Sequence, residues 1–149
     1  MISAPIIQYS REPYLISTDR AKLNLQSIYE FLVFRSYWAQ NRNLDMVQTS
    51  LDNSLCFGVY LAEAQVGFGR VVTDYATFGW ICDVFIMENH RGQGLGKWLV
   101  NCICQHPQLV PIRRIILATV DAHSLYQKHA GFQPLLHPER WLEQVKNQS

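Results

Sequence analysis

The stretch "VFIMENHRGQGLGKWL", Val84 to Leu99, decides how the chain is read. Four apolar residues, Val84 to Met87, run into the polar break "ENH"; then come Arg91 and three glycines at alternate positions, Gly92, Gly94 and Gly96, and from Leu95 a helical pattern begins. Glycine is less favourable than alanine inside a helix by about 1 kcal/mol, so residues this dense are not ordinary helix content. They fit a turn between a strand and a helix that presents bare backbone. N–H groups at such a helix start point one way, at the positive end of the dipole, and the missing side chains let an anion come close. Arg91 adds a fixed positive charge beside the turn. The segment therefore predicts a phosphate-bearing ligand.

Spacing separates the motifs that use this recipe. The dinucleotide-binding fingerprint needs glycines at the first, third and sixth places, but the sixth place counted from Gly92 is Lys97. The P-loop needs Ser or Thr after Gly-Lys, and here Trp98 follows Gly96-Lys97, while Arg91 stands where its first glycine belongs. Neither pattern holds.

On both sides of the turn the periodicity predicts alternating element types. "YLISTD" (Tyr14–Asp19) reads as a short strand, residues 23–39 as an amphipathic helix, and Leu44–Leu51 as a second helix. Three strands follow at Leu55–Ala62, Gln65–Thr73 and Phe78–Met87, the first two joined by a tight hairpin. After the glycines come a helix at Leu95–Gln105, a β-branched run at Arg113–Val120, a helix at Ala122–His129 stopped by Gly131, and a last strand near "FQPLL". The strand-helix-strand section makes its two strands parallel, joined by a right-handed crossover. This order predicts an α/β fold with a mixed central sheet of six to seven strands flanked by about four helices. With no repeat, low-complexity tract or linker, residues 1–149 are expected to form one domain.

Composition narrows the function classes. A chain of 149 residues can bury about two-thirds of the surface its unfolded form exposes, enough for one core. With 48% hydrophobic and 17% charged residues and a formal charge of +1, it lacks the basic excess that nucleic acid demands. The four cysteines, Cys56, Cys82, Cys102 and Cys104, sit in apolar settings without metal-ligand spacing, so no metal is expected and the thiols point to a reducing compartment. No run is long and apolar enough for a membrane span, so a cytoplasmic protein is expected.

"RGQGLG" (Arg91–Gly96) matches, at every defined place, the Arg/Gln-x-x-Gly-x-Gly/Ala pattern of the GNAT family of N-acetyltransferases. The element order is similar to that family's plan over nearly the whole chain, and "AHSLYQKHAGF" (Ala122–Phe132) resembles its later Ala, Leu-Tyr, Gly-Phe segment. The resemblance implies acetyl-CoA as co-substrate, its diphosphate held by Arg91, Gly92, Gln93, Gly94, Leu95, Gly96 and Lys97. It also implies that the strands at 78–87 and 113–120 splay apart, and that the freed backbone of Val84, Phe85 and Ile86 pairs with the pantetheine arm. Tyr126 takes the place of the tyrosine that protonates the departing thiolate, although Gly131 follows it by five residues where four is commoner in the family.

The general base has more than one candidate. Asp83 lies in the apolar run "WICDVFI", where an unpaired carboxylate is costly, so it has either a partner or a task. Asp121 and His123 are the others, with Asp121 more simply read as a helix N-cap. For the acceptor pocket the resemblance points to the first two helices and the turn between the third and fourth strands, hence Tyr29, Trp38, Asp74 and Tyr75.

The expected function is transfer of an acetyl group from acetyl-CoA to a primary amine of a small molecule by direct attack, in a monomer or homodimer. A route through Cys82 is not needed. A non-catalytic acyl-CoA sensor and a protein N-acetyltransferase are the alternatives.

Overall fold

The computed structural model describes residues 5–146. It opens with a hairpin of β1 (Gln8–Arg11) and β2 (Tyr14–Ser17), followed by α1 (Leu25–Arg35) and α2 (Leu44–Asp52). A meander of β3 (Leu55–Leu61), β4 (Ala64–Thr73) and β5 (Gly79–Ile86) leads into α3 (Leu95–Cys104), β6 (Ile115–Ile116) and α4 (His123–Ala130). Among the described residues six strands lie side by side in chain order, each pair antiparallel except β5 with β6. That last pair is parallel, as the α3 crossover demands. Among the described residues no helix is long and apolar enough to cross a membrane.

Alternation along the strands builds a core on each face of the sheet. Phe57, Val59, Val71 and Ile81 face α3, where Leu95, Leu99 and Ile103 meet them. Cys56, Phe68 and Phe85 face the opposite way, toward Ile28, Phe31 and Leu32 of α1 and Val47 and Leu51 of α2. The Phe31 and Phe85 rings stack at 3.8 Å. Phe57, Phe68 and Leu99 are fully buried, and each such side chain stabilises the fold by about 1.5–3 kcal/mol.

Four expectations need correction. The helix foreseen over residues 23–39 spans Leu25–Arg35. Asn24 starts it by accepting from Ser27 N at 3.0 Å, and it ends where Ser36 Oγ donates back to the Leu32 carbonyl at 2.6 Å, a local bond that competes with the helix ladder. Tyr37 and Trp38 are therefore loop residues. Strand β1 was not foreseen at all, because a mostly exposed edge strand carries no apolar alternation. The run Arg113–Val120 forms a ladder only at Ile115–Ile116, and no strand forms near Phe132–Leu136. β-branched content marks chain that favours an extended path, but a ladder also needs a neighbour within reach.

The short β6 follows from a kink in β5. The β4–β5 register steps from Arg70 opposite Cys82 to Phe68 opposite Phe85, and Asp83 within that step has φ +55°. Such a bulge bends its strand and strengthens the twist. β6 pairs with β5 only at Gly79 and Trp80, so from Cys82 to Ile86 the strand has β4 on one side and no strand on the other among the described residues. Beyond Trp80 the two strands no longer pair, which agrees with the splay the resemblance implied.

Candidate active site

The unpaired end of β5 borders a groove of about 440 Å³. Val84, Phe85 and Ile86 line it from β5, the glycine turn closes one end, Ser36, Tyr37 and Trp38 form one wall, and Asp121, Leu125 and Tyr126 form the other. Of the residues singled out in the sequence, Val84, Phe85, Ile86, Arg91, Gly92, Gly94, Leu95, Gly96, Trp38 and Tyr126 meet here.

The turn has the geometry its glycines predict. Gly92 and Gly94 adopt φ of +83° and +79°, the left-handed region that costs other residues steric strain. Gly94 is the N-cap of α3 and provides no side-chain cap, so the first N–H groups of the helix are left for a ligand. Arg91 Nε donates to the Ile86 carbonyl at 2.8 Å, which fixes the turn to the end of β5. Gln93 holds it from the other side: its Nε2 donates to the Tyr14 hydroxyl at 3.1 Å and to the His90 carbonyl at 3.2 Å. Gln93 and Lys97 themselves lie outside the groove lining, and Lys97 is exposed on α3.

Tyr126 is 7% exposed, and burial, with Cys104 and Tyr37 adding to it, pushes its phenol up to about 12. The hydroxyl therefore keeps its proton throughout the physiological range and is available as an acid. Gly131, at φ +72°, caps α4 by donating its N–H to the Tyr126 carbonyl, and Phe132 packs its ring edge-on against Tyr126 at 5.7 Å. The five-residue spacing that departs from the family pattern is thus a complete left-handed helix cap.

Asp83 turns out to have partners. Its carboxylate is 1% exposed; Oδ1 accepts from the Trp38 indole at 2.9 Å, and Oδ2 accepts from Arg42 at 2.6 Å and Arg70 at 2.7 Å. Burial alone raises its pKa, but the Arg42 hydrogen bond and the charges of Arg70 and Arg42 outweigh it and hold the group below the usual carboxylate range. A carboxylate so occupied is a weak proton acceptor, and it does not line the groove. Asp121 does the reverse. The N-cap of α4 is Ala122, without any side-chain cap, and the Ala122 amide donates instead to Thr119 Oγ1 at 3.0 Å. Asp121 is thus not the cap expected of it, and it lines the groove. His123 lines a separate cavity of about 390 Å³ between β6 and α4.

Three expected acceptor residues stand outside the groove. Asp74 folds onto its own turn, accepting from the amides of Ala76 at 2.9 Å and Thr77 at 2.7 Å, and hydrogen bonds from the Thr77 hydroxyl and these amides lower its pKa. Tyr75 follows it at φ +60°, and Tyr29 packs edge-on against Phe34 at 6.2 Å. Arg42 and Arg70 were missed. A signal for Arg70 existed: "GFGRVVT" buries a cation in one strand as "WICDVFI" buries an anion in the next.

With this geometry in view, comparison with known proteins is direct. The profile of the acetyltransferase (GNAT) family matches residues 23–132. This chain belongs to the GNAT acetyltransferase family. A candidate acetyltransferase of Gibberella zeae is 32% identical over 145 residues, covering 84% of this chain and 82% of that protein. The crystal structure of a candidate GNAT acetyltransferase from Xanthomonas campestris shares 40% identity at a TM-score of 0.87, covering 92% of this chain and 96% of that one. A Clostridium acetobutylicum protein solved with acetyl-CoA shares the fold at a TM-score of 0.65 and 15% identity, over 89% of this chain and 94% of that one. As a GNAT acetyltransferase, the protein uses acetyl-CoA as its co-substrate. The uncapped helix start, the two left-handed glycines and the open edge of β5 suit an elongated ligand with a diphosphate. Among the described residues no group of three His, Cys, Asp or Glu side chains could hold a metal.

Proposed function

We propose that this GNAT acetyltransferase moves the acetyl group of acetyl-CoA to the primary amine of a small molecule, by direct attack within a ternary complex. The observation that carries this reading is the placement of Tyr126: a buried phenol that keeps its proton lines the same groove as the free edge of β5 and the glycine turn. In this reading the first amides of α3 hold the diphosphate, and the backbone of Val84, Phe85 and Ile86 holds the pantetheine arm. The amine nitrogen bonds to the acyl carbon, the carbon–sulfur bond breaks, and Tyr126 gives its proton to the departing sulfur. Asp121 takes up the proton that the amine must lose, directly or through water, while Asp83 positions Trp38 and Arg42.

A small acceptor fits better than a protein tail. The Tyr37 hydroxyl accepts from the Val120 amide at 3.1 Å, which ties the loop carrying Trp38 to the segment leading into Asp121 and restricts access for a chain. The thiol of Cys82 is pushed up to about 12 by burial and is a poor nucleophile, which favours direct attack over a route through that residue.

The test is thiol release from acetyl-CoA across a panel of primary amines, with mass spectrometry of the products. Acetylated amine together with free thiol is the expected result. Tight acetyl-CoA binding without turnover of any amine would assign the protein to acyl-CoA sensing, and turnover of peptides alone would make it a protein acetyltransferase.

A further inference from the structure

Behind Trp38, the α1–α2 loop and strands β4 and β5 bring two guanidinium groups to one carboxylate. Arg42 Nη1 and Arg70 Nε both donate to Asp83 Oδ2, at 2.6 and 2.7 Å. Arg70 is 7% exposed and spends a further N–H on Ser54 Oγ at 3.0 Å. Arg42 is different. Its side chain retains 22% exposure, and among the described residues its guanidinium makes the Asp83 bond and no other.

The triad has a surplus positive charge, and among the described residues no second carboxylate lies within 4 Å of either guanidinium. Arg20, on the same side of the sheet, is engaged with the Ser54 carbonyl and with Asp52. A partly desolvated surplus charge is unfavourable until an anion meets it. The unused N–H groups of a guanidinium form a planar fork that matches a carboxylate.

We propose that Arg42 is the docking point for a carboxylate carried by the amine acceptor. The inference rests on the acetyl-transfer reading and narrows it to amines that bear an acid. Trp38 joins the two parts of the site: its ring lines the groove and its indole N–H is held by the same Asp83 that holds Arg42. An acceptor bound this way places its anion at Arg42 and sends its amine past Trp38 toward the groove. Both arginines keep Asp83 ionised and in place, and Arg42, the more exposed of the two, also meets the ligand.

The experiment compares 4-(aminomethyl)benzoate with 4-(aminomethyl)benzamide, two primary amines of similar basicity that differ in charge at the far end. Wild-type protein should prefer the benzoate by about tenfold or more in kcat/KM, the range of a hydrogen bond to a charged group, with the difference in KM. Arg42→Gln should bring the ratio to about one, and Arg42→Lys, which keeps the charge but not the fork, should restore part of it. Thermal unfolding and coenzyme A affinity confirm that both variants fold. Equal use of the two amines by wild type, or a preference that survives Arg42→Gln, overturns the proposal and leaves acetyl transfer standing. Should neither amine be acetylated, the Trp38 indole NMR signal of the coenzyme A complex decides. Saturable binding of the benzoate alone, abolished by Arg42→Gln, supports the Arg42 site and counts against transfer; binding of both or of neither overturns it.

Discussion

The Tyr37 hydroxyl accepts a hydrogen bond from the Val120 amide at 3.1 Å, tying the α1–α2 loop to the loop between β6 and α4. The bond spans 83 residues of chain and joins Tyr37, which lines the groove, to the residue before Asp121, which lines it too. The Trp38 ring packs edge-on against Tyr37 at 5.0 Å and is itself anchored to Asp83, so the bridge is continuous with the buried ion cluster. These contacts connect the Tyr37 and Trp38 side of the groove to the segment that carries Asp121 and to the buried ion cluster.

Removing the bridge loosens the groove without touching the strand that borders it. Tyr37→Phe keeps the ring and deletes the acceptor oxygen, and one exposed hydrogen bond is worth at most about 1 kcal/mol. Dissociation of coenzyme A, followed by stopped-flow fluorescence, is expected to speed up by about two- to fivefold, a range set by that hydrogen bond. Exchange of the Val120 amide with deuterium should accelerate with it. Unchanged exchange would show that the bond is not formed in solution.

Gly94→Val puts a β-branched residue at φ +79°, where a left-handed backbone costs a side-chain-bearing residue about 1–2 kcal/mol. To relieve that strain the turn must move away from the N–H groups it presents. The dissociation constant of acetyl-CoA should rise by about tenfold or more, consistent with that cost or with loss of a charge-assisted hydrogen bond, while the fold is retained. Calorimetric titration reads this directly, and unchanged affinity would move the diphosphate away from this turn.

Tyr126→Phe removes the proton donor and keeps the packing against Phe132. Turnover should fall by about a hundredfold, the low end of what a positioned acid contributes, with acetyl-CoA affinity nearly unchanged. An acetyl thioester whose thiol is strongly acidic needs no proton on departure, so its transfer should be nearly insensitive to the substitution. Equal slowing with both donors would make Tyr126 a structural residue.

Asp83→Asn leaves Arg42 and Arg70 together without their carboxylate. Breaking a buried ion pair from one side typically costs about 3–5 kcal/mol, so a large drop in Tm is expected. Because the folded-state pKa of Asp83 lies below its unfolded value, its contribution is present above about pH 4 and is lost as the pH falls through the folded pKa. Acid unfolding monitored by circular dichroism should therefore be less steep for Asp83→Asn than for wild type. Identical acid profiles would mean that the triad does not form.

Much of this site was legible in the sequence because some chemistry constrains consecutive residues. Bare backbone at a helix start requires small residues in a fixed register, so "RGQGLG" and the strand before it could be read in one stretch. Tyr126 was legible through its neighbours. Trp38 was read as an acceptor residue, but its place in a loop was not, because the competing bond from Ser36 to Leu32 is invisible to apolar periodicity. Asp74 illustrates a limit of another kind: an acidic residue in the right turn was closing that turn with its own side chain.

By itself the sequence determined the order of strands and helices from β2 through the glycine segment, the left-handed turn before α3 and membership of the GNAT plan, since each depends on local spacing. Tertiary structure alone decided that the Asp83 carboxylate is committed to structural partners. Asp83 owes its state to Trp38 and Arg42, 45 and 41 residues away. Whether an acid can accept a proton is set by the donors that reach it, and those are fixed by the paths of distant segments, not by the residues beside it in the chain.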